Sequence, residues 1–310
     1  MSNKPKRQRC LCVWVDKFDR YLESMNYSAM TRRQYKHRLL AFSTWVTDKY
    51  KPATIQAVSA EIIGDYQVYL VDEHRRPLGG KIALGTQMQR LAPLKTFFKW
   101  LCNRGAVPSD PAVELVLPVK AKTLPRDVPS VREISCVLRR VLRQDKNRLR
   151  DAAIIGTLFA SGCRKMELAR LRLCDVDLKA REVRIEKAKN RQGRLTFISP
   201  WAAELLRAYI ERERPKLPKD APLFISERDG GQMEDSVVGK VVSRPFRSIR
   251  SKRVCCHSLR HAFCLSLLRG GASIRVIAEL AGHKRLSCSA IYTRLELADL
   301  RKVHERAFVE

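Results

Sequence analysis

The fold prediction for the second half of the chain rests on one stretch, CHSLRHAFCLSLLRGGASIRVIAELAGH, residues 256–283. Its apolar residues recur at helical spacing, and glycines at 270–271 and 282 break it into two helices. His257 and Arg260 lie three residues apart, so both fall on one face near the N-terminal end of the first helix, where anions are favoured. The stretch therefore predicts helices that present basic and ionisable side chains together.

Two upstream segments and one downstream residue extend this pattern. In SGCRKMEL, residues 161–168, Arg164 follows a glycine-containing helix break, and the carboxylate of Glu167 is close enough in sequence to orient it. The segment EVRIEKAKNRQGRLTFI, residues 182–198, alternates apolar and charged residues around a polar turn, which predicts a β-hairpin. Its turn contains Lys187 and Lys189, and Tyr292 follows His283 by nine residues.

The N-terminal third of the chain has a purely helical pattern. Residues 10–105 predict four helices, the fourth beginning at Thr86 as N-cap, and no strand pattern interrupts them. LPVKAKTLPRDVP, residues 117–129, contains three prolines without periodicity and predicts an extended linker. Ser130 and Glu133 then form a capping box that opens the next helix. We predict a mainly α fold with a small antiparallel sheet.

Composition restricts the class of protein. The chain has 310 residues, a formal net charge of +29 and a pI near 10.2, which points to an anionic partner. A hydrophobic content of 45% excludes a disordered polycation. Both the first 120 residues (net charge +10) and the remaining 190 (+19) are basic, which suggests that both contact the same polyanion. Because no apolar run is long enough to span a membrane and no signal peptide opens the chain, we expect a soluble, cytoplasmic protein.

The ten cysteines do not suggest a metal site or a disulfide framework. No CxxC pair is present, so we expect reduced and mostly buried thiols. The sequence also has no metal-ligand set and no phosphate-binding P-loop, so no metal or cofactor is predicted. Taken singly, each basic or ionisable residue above has an ordinary explanation as a phosphate contact, a solvated charge or a core side chain.

The order and spacing of these residues together resemble the tyrosine recombinase (phage integrase) family. The resemblance rests on Arg164 in SGCRKMELARL, the hairpin lysine, the HSLRH box, LAGH, and the tyrosine in HKRLSCSAIYTR. It covers almost the whole chain and is closest in layout to the bacterial Xer-type enzymes. It implies a helical core-binding DNA-binding domain over residues 1–117, a linker over 118–129, and a mixed α/β catalytic domain over 130–310 that ends in a tail helix.

The resemblance implies six catalytic residues: Arg164, Lys189, His257, Arg260, His283 and Tyr292. Attack on a phosphodiester places extra negative charge on the non-bridging oxygens, and the two arginines and His283 would donate hydrogen bonds to them. Tyr292 would be the nucleophile.

Two proton transfers complete the implied chemistry. A free phenol has a pKa of about 10, so Tyr292 needs a proton acceptor, and His257 is the candidate. The resemblance gives the general-acid role to a hairpin lysine. Arg194 matches the basic residue that closes the family's hairpin, and counting back from it selects Lys189 over Lys187.

The implied partner is a double-stranded DNA recombination site. By resemblance, four copies of the chain, or this chain with a related recombinase, would bind two sites and exchange strands through a Holliday junction. Two alternatives use the same features: a type IB topoisomerase that relaxes DNA, and a catalytically silent DNA-binding protein. The target sequence and the biological role (dimer resolution, integration, inversion or transposition) are not readable from the residues.

Overall fold

The computed structural model describes residues 11–51, 54–72, 82–118, 127–144, 146, 148–186, 193–247 and 253–283. Lys187, Lys189, Tyr292 and the tail helix, as well as residues 119–126 of the predicted linker, lie outside these ranges. The chain divides into two compact units, Met1–Ala121 and Lys122–Glu310. The mainly α prediction with a small antiparallel sheet is confirmed.

All secondary-structure elements among the described residues of the first unit are helices. Its α-helices are α1 (Leu11–Ser24), α2 (Ala29–Tyr50), α3 (Ala60–Asp72) and α4 (Leu84–Asn103). In α1, Leu11, Val15, Phe18 and Leu22 are buried, at the three- and four-residue spacing of one helix face. Phe18 packs edge-on against Phe97 of α4, with ring centroids 5.3 Å apart, so an aromatic core joins the helices.

Helix α4 begins earlier than the sequence predicted. Its N-cap is Ala83, whose carbonyl accepts hydrogen bonds from the backbone of Thr86 and Gln87, so the prediction of Thr86 as N-cap is wrong. The side chain of Gln87 is buried and donates to the carbonyl of Ile82, 3.1 Å away. This interaction between the first turn and the preceding residue does not follow from cap propensity.

The second unit is built around one buried helix. Its α-helices are α5 (Val131–Val141), α6 (Arg148–Ser161), α7 (Lys165–Ala169), α8 (Pro200–Arg212), α9 (Asp235–Arg247), α10 (Cys256–Arg269) and α11 (Ile274–Ala281). Helix α6 packs against α5, α8, α9 and α10, and Ala152, Ile154 and Leu158 have no exposed surface. The predicted capping box of Ser130 and Glu133 at the start of α5 is confirmed.

The sheet is small and antiparallel. Its strands are β1 (Val176–Asp177), β2 (Glu182–Ile185) and β3 (Arg194–Phe197), in the order β1-β2-β3. Glu182 pairs with Phe197 and Ile185 with Arg194, which confirms the predicted hairpin. The pairing brings Arg194, at the start of β3, next to α11.

The cysteines correct one expectation. Of the eight described, Cys163, Cys256 and Cys264 are buried and Cys102 is intermediate, whereas four are exposed: Cys12, Cys136, Cys174 and Cys255. The expectation of mostly buried thiols is therefore wrong, although no disulfide joins any of the eight. Cys12 and Cys136 lie on exposed faces of α1 and α5, Cys255 is the N-cap of α10, and Cys174 lies in a short 3-10 turn before β1. No helix in the described part of the chain is long and apolar enough to cross a membrane.

Candidate active site

Four of the six predicted catalytic residues are described, and helix ends place all four. Arg164 is the N-cap of α7, and His257 and Arg260 lie in the first turns of α10. His283 follows α11 directly after its C-cap, Gly282. Helix ends carry unpaired backbone groups, so side chains placed there can bond to carbonyls as well as to a substrate.

Gly162 makes the turn that brings α6 to Arg164. Its φ is +61°, a conformation that glycine adopts without strain. A Cβ at this position would lie 2.2 Å from the Phe263 ring, so α10 approaches the backbone closely. The carbonyl of Gly162 accepts a hydrogen bond from Arg260. The predicted helix break therefore has two functions: it turns the chain and it anchors a site residue.

Arg164 is held by two neighbours and remains accessible. Its Nη1 donates to Glu167 Oε1 at 2.7 Å, which confirms the prediction that Glu167 orients it. Its Nη2 donates to the carbonyl of Gly282 at 2.8 Å, 118 residues away in sequence. The side chain is 44% exposed. Arg164 is therefore fixed at two points while part of its guanidinium stays open to solvent.

Arg260 is almost completely buried. It is 2% exposed and donates to the carbonyls of Gly162 and Ala281. Burial, and next the positive charge of Arg164, lower the pKa of its guanidinium. Two neutral carbonyls orient this charge without neutralising it, so the site attracts an anion.

Three histidines complete the cluster. The rings of His257 and His261 are in edge contact, with centroids 4.4 Å apart. Burial, followed by the charges of Arg260 and Arg164, lowers the pKa of His257 and lowers that of His283 to about 4. Burial and His257 lower the pKa of His261 to about 4. These imidazoles are therefore neutral at pH 7.

Sequence reasoning missed two residues of this cluster. His261 lies in the HSLRH box without a predicted role, and Arg194 marks only the end of the hairpin from which Lys189 is counted. Arg194 is 27 residues from Glu167 in sequence and bonds both of its oxygens. No spacing rule links these two positions. The one signal in the sequence is that Glu167 is the single carboxylate in a basic segment, residues 161–172, where it can pair with more than one cation.

Glu167 is the acidic centre of this arrangement. Burial alone would raise its pKa, but hydrogen bonds from Arg194 and from the backbone and side chain of Arg164 outweigh burial and lower the pKa to about 2. Glu167 is therefore ionised at neutral pH. Within the described ranges, no group of three or more His, Cys, Asp and Glu side chains is arranged to hold a metal ion.

Family models match both units of the chain. Residues 132–298 match the phage integrase family, and residues 14–106 match the phage integrase N-terminal SAM-like domain. The chain belongs to the phage integrase family. The resemblance inferred from the sequence motifs is confirmed, and with it the assignment of the protein as a tyrosine recombinase, an enzyme that cleaves and rejoins DNA.

Relatives of this integrase-family chain match over most of their length. Tyrosine recombinase XerC 2 of Ralstonia nicotianae is 33% identical over 291 residues, which covers 90% of this chain and 80% of the relative. Tyrosine recombinase XerC of Myxococcus xanthus is 31% identical over 300 residues, covering 94% and 96%.

Solved structures support the fold. A Tn1549 transposon integrase in complex with transposon right end DNA matches with a TM-score of 0.74 at 16% identity, over 97% of this chain and all of that chain. XerH bound to a palindromic difH substrate matches with a TM-score of 0.68 at 20% identity, over 96% and 85%. At these identities the likeness concerns the fold alone.

Proposed function

We propose that this integrase-family protein is a site-specific DNA recombinase that cleaves and rejoins DNA through a 3′-phosphotyrosyl intermediate. The observation that carries the proposal is the convergence of Arg164, Arg260, His257 and His283 on the adjoining ends of α7, α10 and α11. Two arginines held by backbone carbonyls, with neutral histidines beside them, suit a phosphodiester. A relaxing topoisomerase or a silent DNA-binding protein is not favoured by relatives named tyrosine recombinases.

Binding of the scissile phosphate follows from the charge of the site. Arg164 is partly exposed and Arg260 is buried, so the first would meet the incoming phosphate and the second would face its inner oxygen. Fixed cationic donors stabilise the extra negative charge of the phosphorane-like transition state without reorganising. His283 would add a third N–H donor. Part of the arginine repulsion is relieved when the phosphate binds.

In the proposed cleavage step, protein side chains accept and supply every proton, so the step needs no cofactor. The Tyr292 hydroxyl oxygen attacks phosphorus, the bond from phosphorus to the 5′ oxygen breaks, and a phosphotyrosine forms. His257 accepts the phenol proton, since its lowered pKa keeps it neutral at pH 7. Lys189 protonates the departing 5′ oxygen. Because the phosphotyrosine conserves the energy of the broken bond, a 5′ hydroxyl from another strand can reverse the step and reseal the DNA.

The proposed partners are duplex DNA and further copies of the chain. A net charge of +29 favours binding to DNA. The solved structures of XerH and of the Tn1549 integrase are complexes with a difH substrate and with transposon right end DNA. We extend this to a homo-tetramer that holds two recombination sites, exchanges strands through a Holliday junction and acts in the cytoplasm.

The experiment that tests the proposal compares the wild-type chain with Tyr292→Phe on a suicide substrate nicked beside the cleavage site. The wild-type protein should become covalently attached to DNA, visible as a slower band in denaturing gels. Tyr292→Phe should bind the same DNA in gel shifts but form no adduct, because a phenyl ring has no hydroxyl. Tyr27→Phe, at an exposed tyrosine in the first unit, is the matched control and should form the adduct normally. An adduct with Tyr292→Phe would refute the assignment of the nucleophile.

A further inference from the structure

The C-terminal end of α11 binds three arginines through three consecutive carbonyls. Leu280 accepts from Arg194 Nε at 3.0 Å, Ala281 accepts from Arg260 Nη2, and Gly282 accepts from Arg164 Nη2 at 2.8 Å. The last carbonyls of a helix have no intrahelical partner and carry partial negative charge, so cations are favoured there. Two of these arginines belong to the proposed phosphate site, whereas the third, Arg194, does not.

Arg194 is not placed to touch a substrate. Its side chain is 7% exposed, compared with 44% for Arg164. All three of its nitrogen atoms donate to protein: Nε to Leu280, and Nη1 and Nη2 to the two oxygens of Glu167. A role for Arg194 in catalysis must therefore act through the residues that it holds.

Glu167 divides its bonds unequally between the two arginines. Arg194 binds it with both Nη atoms, at 3.1 and 2.6 Å, in the forked geometry that is strongest for a carboxylate. Arg164 donates one Nη, at 2.7 Å, and its backbone N–H, at 2.8 Å. Together with the bond to Gly282, Arg164 thus uses two of the five N–H donors of its guanidinium.

We propose that Arg194 is a positioning residue that keeps Arg164 available to the scissile phosphate, an inference that rests on the proposed function. Because Arg194 occupies the forked side of Glu167, the carboxylate cannot take both Nη atoms of Arg164. Without Arg194, Glu167 is an ionised and largely buried carboxylate with one cation left. It then draws Arg164 into a forked pair and away from Gly282, so that donors needed by the phosphate are consumed.

Arg194 also supports the segment that carries His283. Its bond to Leu280 fixes the last turn of α11, and its side chain packs under Gly282, where a Cβ would lie 2.9 Å from its Cδ. Since Arg194 begins β3, it joins the hairpin to the end of α11. Loss of this side chain removes one support of the carbonyl row that orients Arg164 and Arg260.

The test measures single-turnover cleavage of the suicide substrate at saturating protein, together with the DNA dissociation constant. Arg194→Gln should cleave about 10- to 100-fold more slowly, since small misplacement of a catalytic group costs this much, while DNA affinity changes less than about threefold. Adding Glu167→Gln should recover part of the lost rate, because a neutral amide attracts Arg164 less strongly than a carboxylate and leaves it bonded to Gly282. Loss of rate that Glu167→Gln does not relieve would overturn the proposal, as would a wild-type rate for Arg194→Gln.

Arg214→Gln is the matched control. Arg214 is 7% exposed and donates to the carbonyls of Leu223, Pro215 and Pro222. Like Arg194 it is buried and uses all three side-chain nitrogens as donors, but it does not bond to Glu167. It should lower thermal stability but leave the cleavage rate of the folded protein unchanged, with no response to Glu167→Gln. If Arg194→Gln does not fold, Arg194→Lys retains a cation beside Glu167 without the fork, so a smaller loss of rate is expected, again partly recovered by Glu167→Gln. Absence of any adduct with the wild-type chain would instead refute the proposed function.

Discussion

At the scale of single residues, Gly162 contributes to the candidate site in three ways. It adopts φ +61°, contacts the Phe263 ring, and presents its carbonyl to Arg260. A side chain here meets two costs, the left-handed backbone and a collision with a buried aromatic ring. Gly271 in the same unit offers a comparison, since it has φ +84° and a Cβ added there would meet no described atom within 4 Å.

Gly162→Ala should therefore destabilise the protein by about 2 to 4 kcal/mol, the sum of backbone strain and overpacking. Gly271→Ala should cost only the strain, about 1 kcal/mol. Urea unfolding of both variants measures the difference. Equal losses of stability would show that the Phe263 contact relaxes without cost and that the close approach of α10 is not a constraint.

Whether a contact between two residues can be predicted from the sequence depends on how far apart they lie along the chain. Glu167 and Arg164, and likewise His257 and Arg260, lie three residues apart, so helical geometry alone brings each pair together. Arg194 and Glu167 meet only because the hairpin folds back beside α7 and α11, a tertiary contact that no local rule supplies. The six catalytic roles come from family resemblance and all remain predictions, and two of the residues, Lys189 and Tyr292, also lie outside the described ranges.

At the scale of elements, pattern reasoning predicts the hairpin and the buried face of β2, but not that of β3, where Thr196 is buried and Leu195 and Phe197 are exposed. Val183 and Ile185 are buried while Glu182 and Arg184 are not, which is the alternation that predicted a half-buried strand. β1 was not predicted, because two residues are too few to show a period. The start of α4 was misplaced because Ala83 has no side chain that can cap a helix.

The hairpin carries a prediction that separates its two lysines. If Lys189 protonates the leaving 5′ oxygen, Lys189→Ala should cleave normal DNA about 100-fold or more slowly, the usual contribution of a general acid. The variant should recover on a substrate with sulfur at the 5′ bridging position, because a thiolate leaves without a proton. Cleavage rates on the two substrates measure the effect.

Lys187→Ala is the control for this experiment. It should show a milder defect that sulfur does not relieve. Selective recovery by Lys187→Ala instead would place the general acid two residues upstream, and recovery by neither variant would remove that role from the hairpin.

At the scale of the whole molecule, both compact units are basic. The proposal that both hold the same DNA predicts that residues 122–310 alone bind the recombination site about tenfold or more weakly than the full chain. Affinity should fall with salt at about −0.9 per phosphate contact in a log–log plot, with a shallower slope for the fragment because it neutralises fewer phosphates. Binding assays over a salt series measure both quantities. Equal affinity and slope would mean that the first unit does not contact the site.

The contact between Arg194 and Gly282 also constrains which sequences this fold accepts over evolutionary time. Position 282 needs glycine for its φ of +66° and again because the Arg194 side chain fills the space of a Cβ. In a lineage that replaces the arginine, the space for a Cβ opens and only the requirement for a positive φ remains. Asparagine, which tolerates a positive φ, then becomes admissible at position 282. Substitutions at the two positions should therefore accumulate in an order, with residue 194 changing before residue 282.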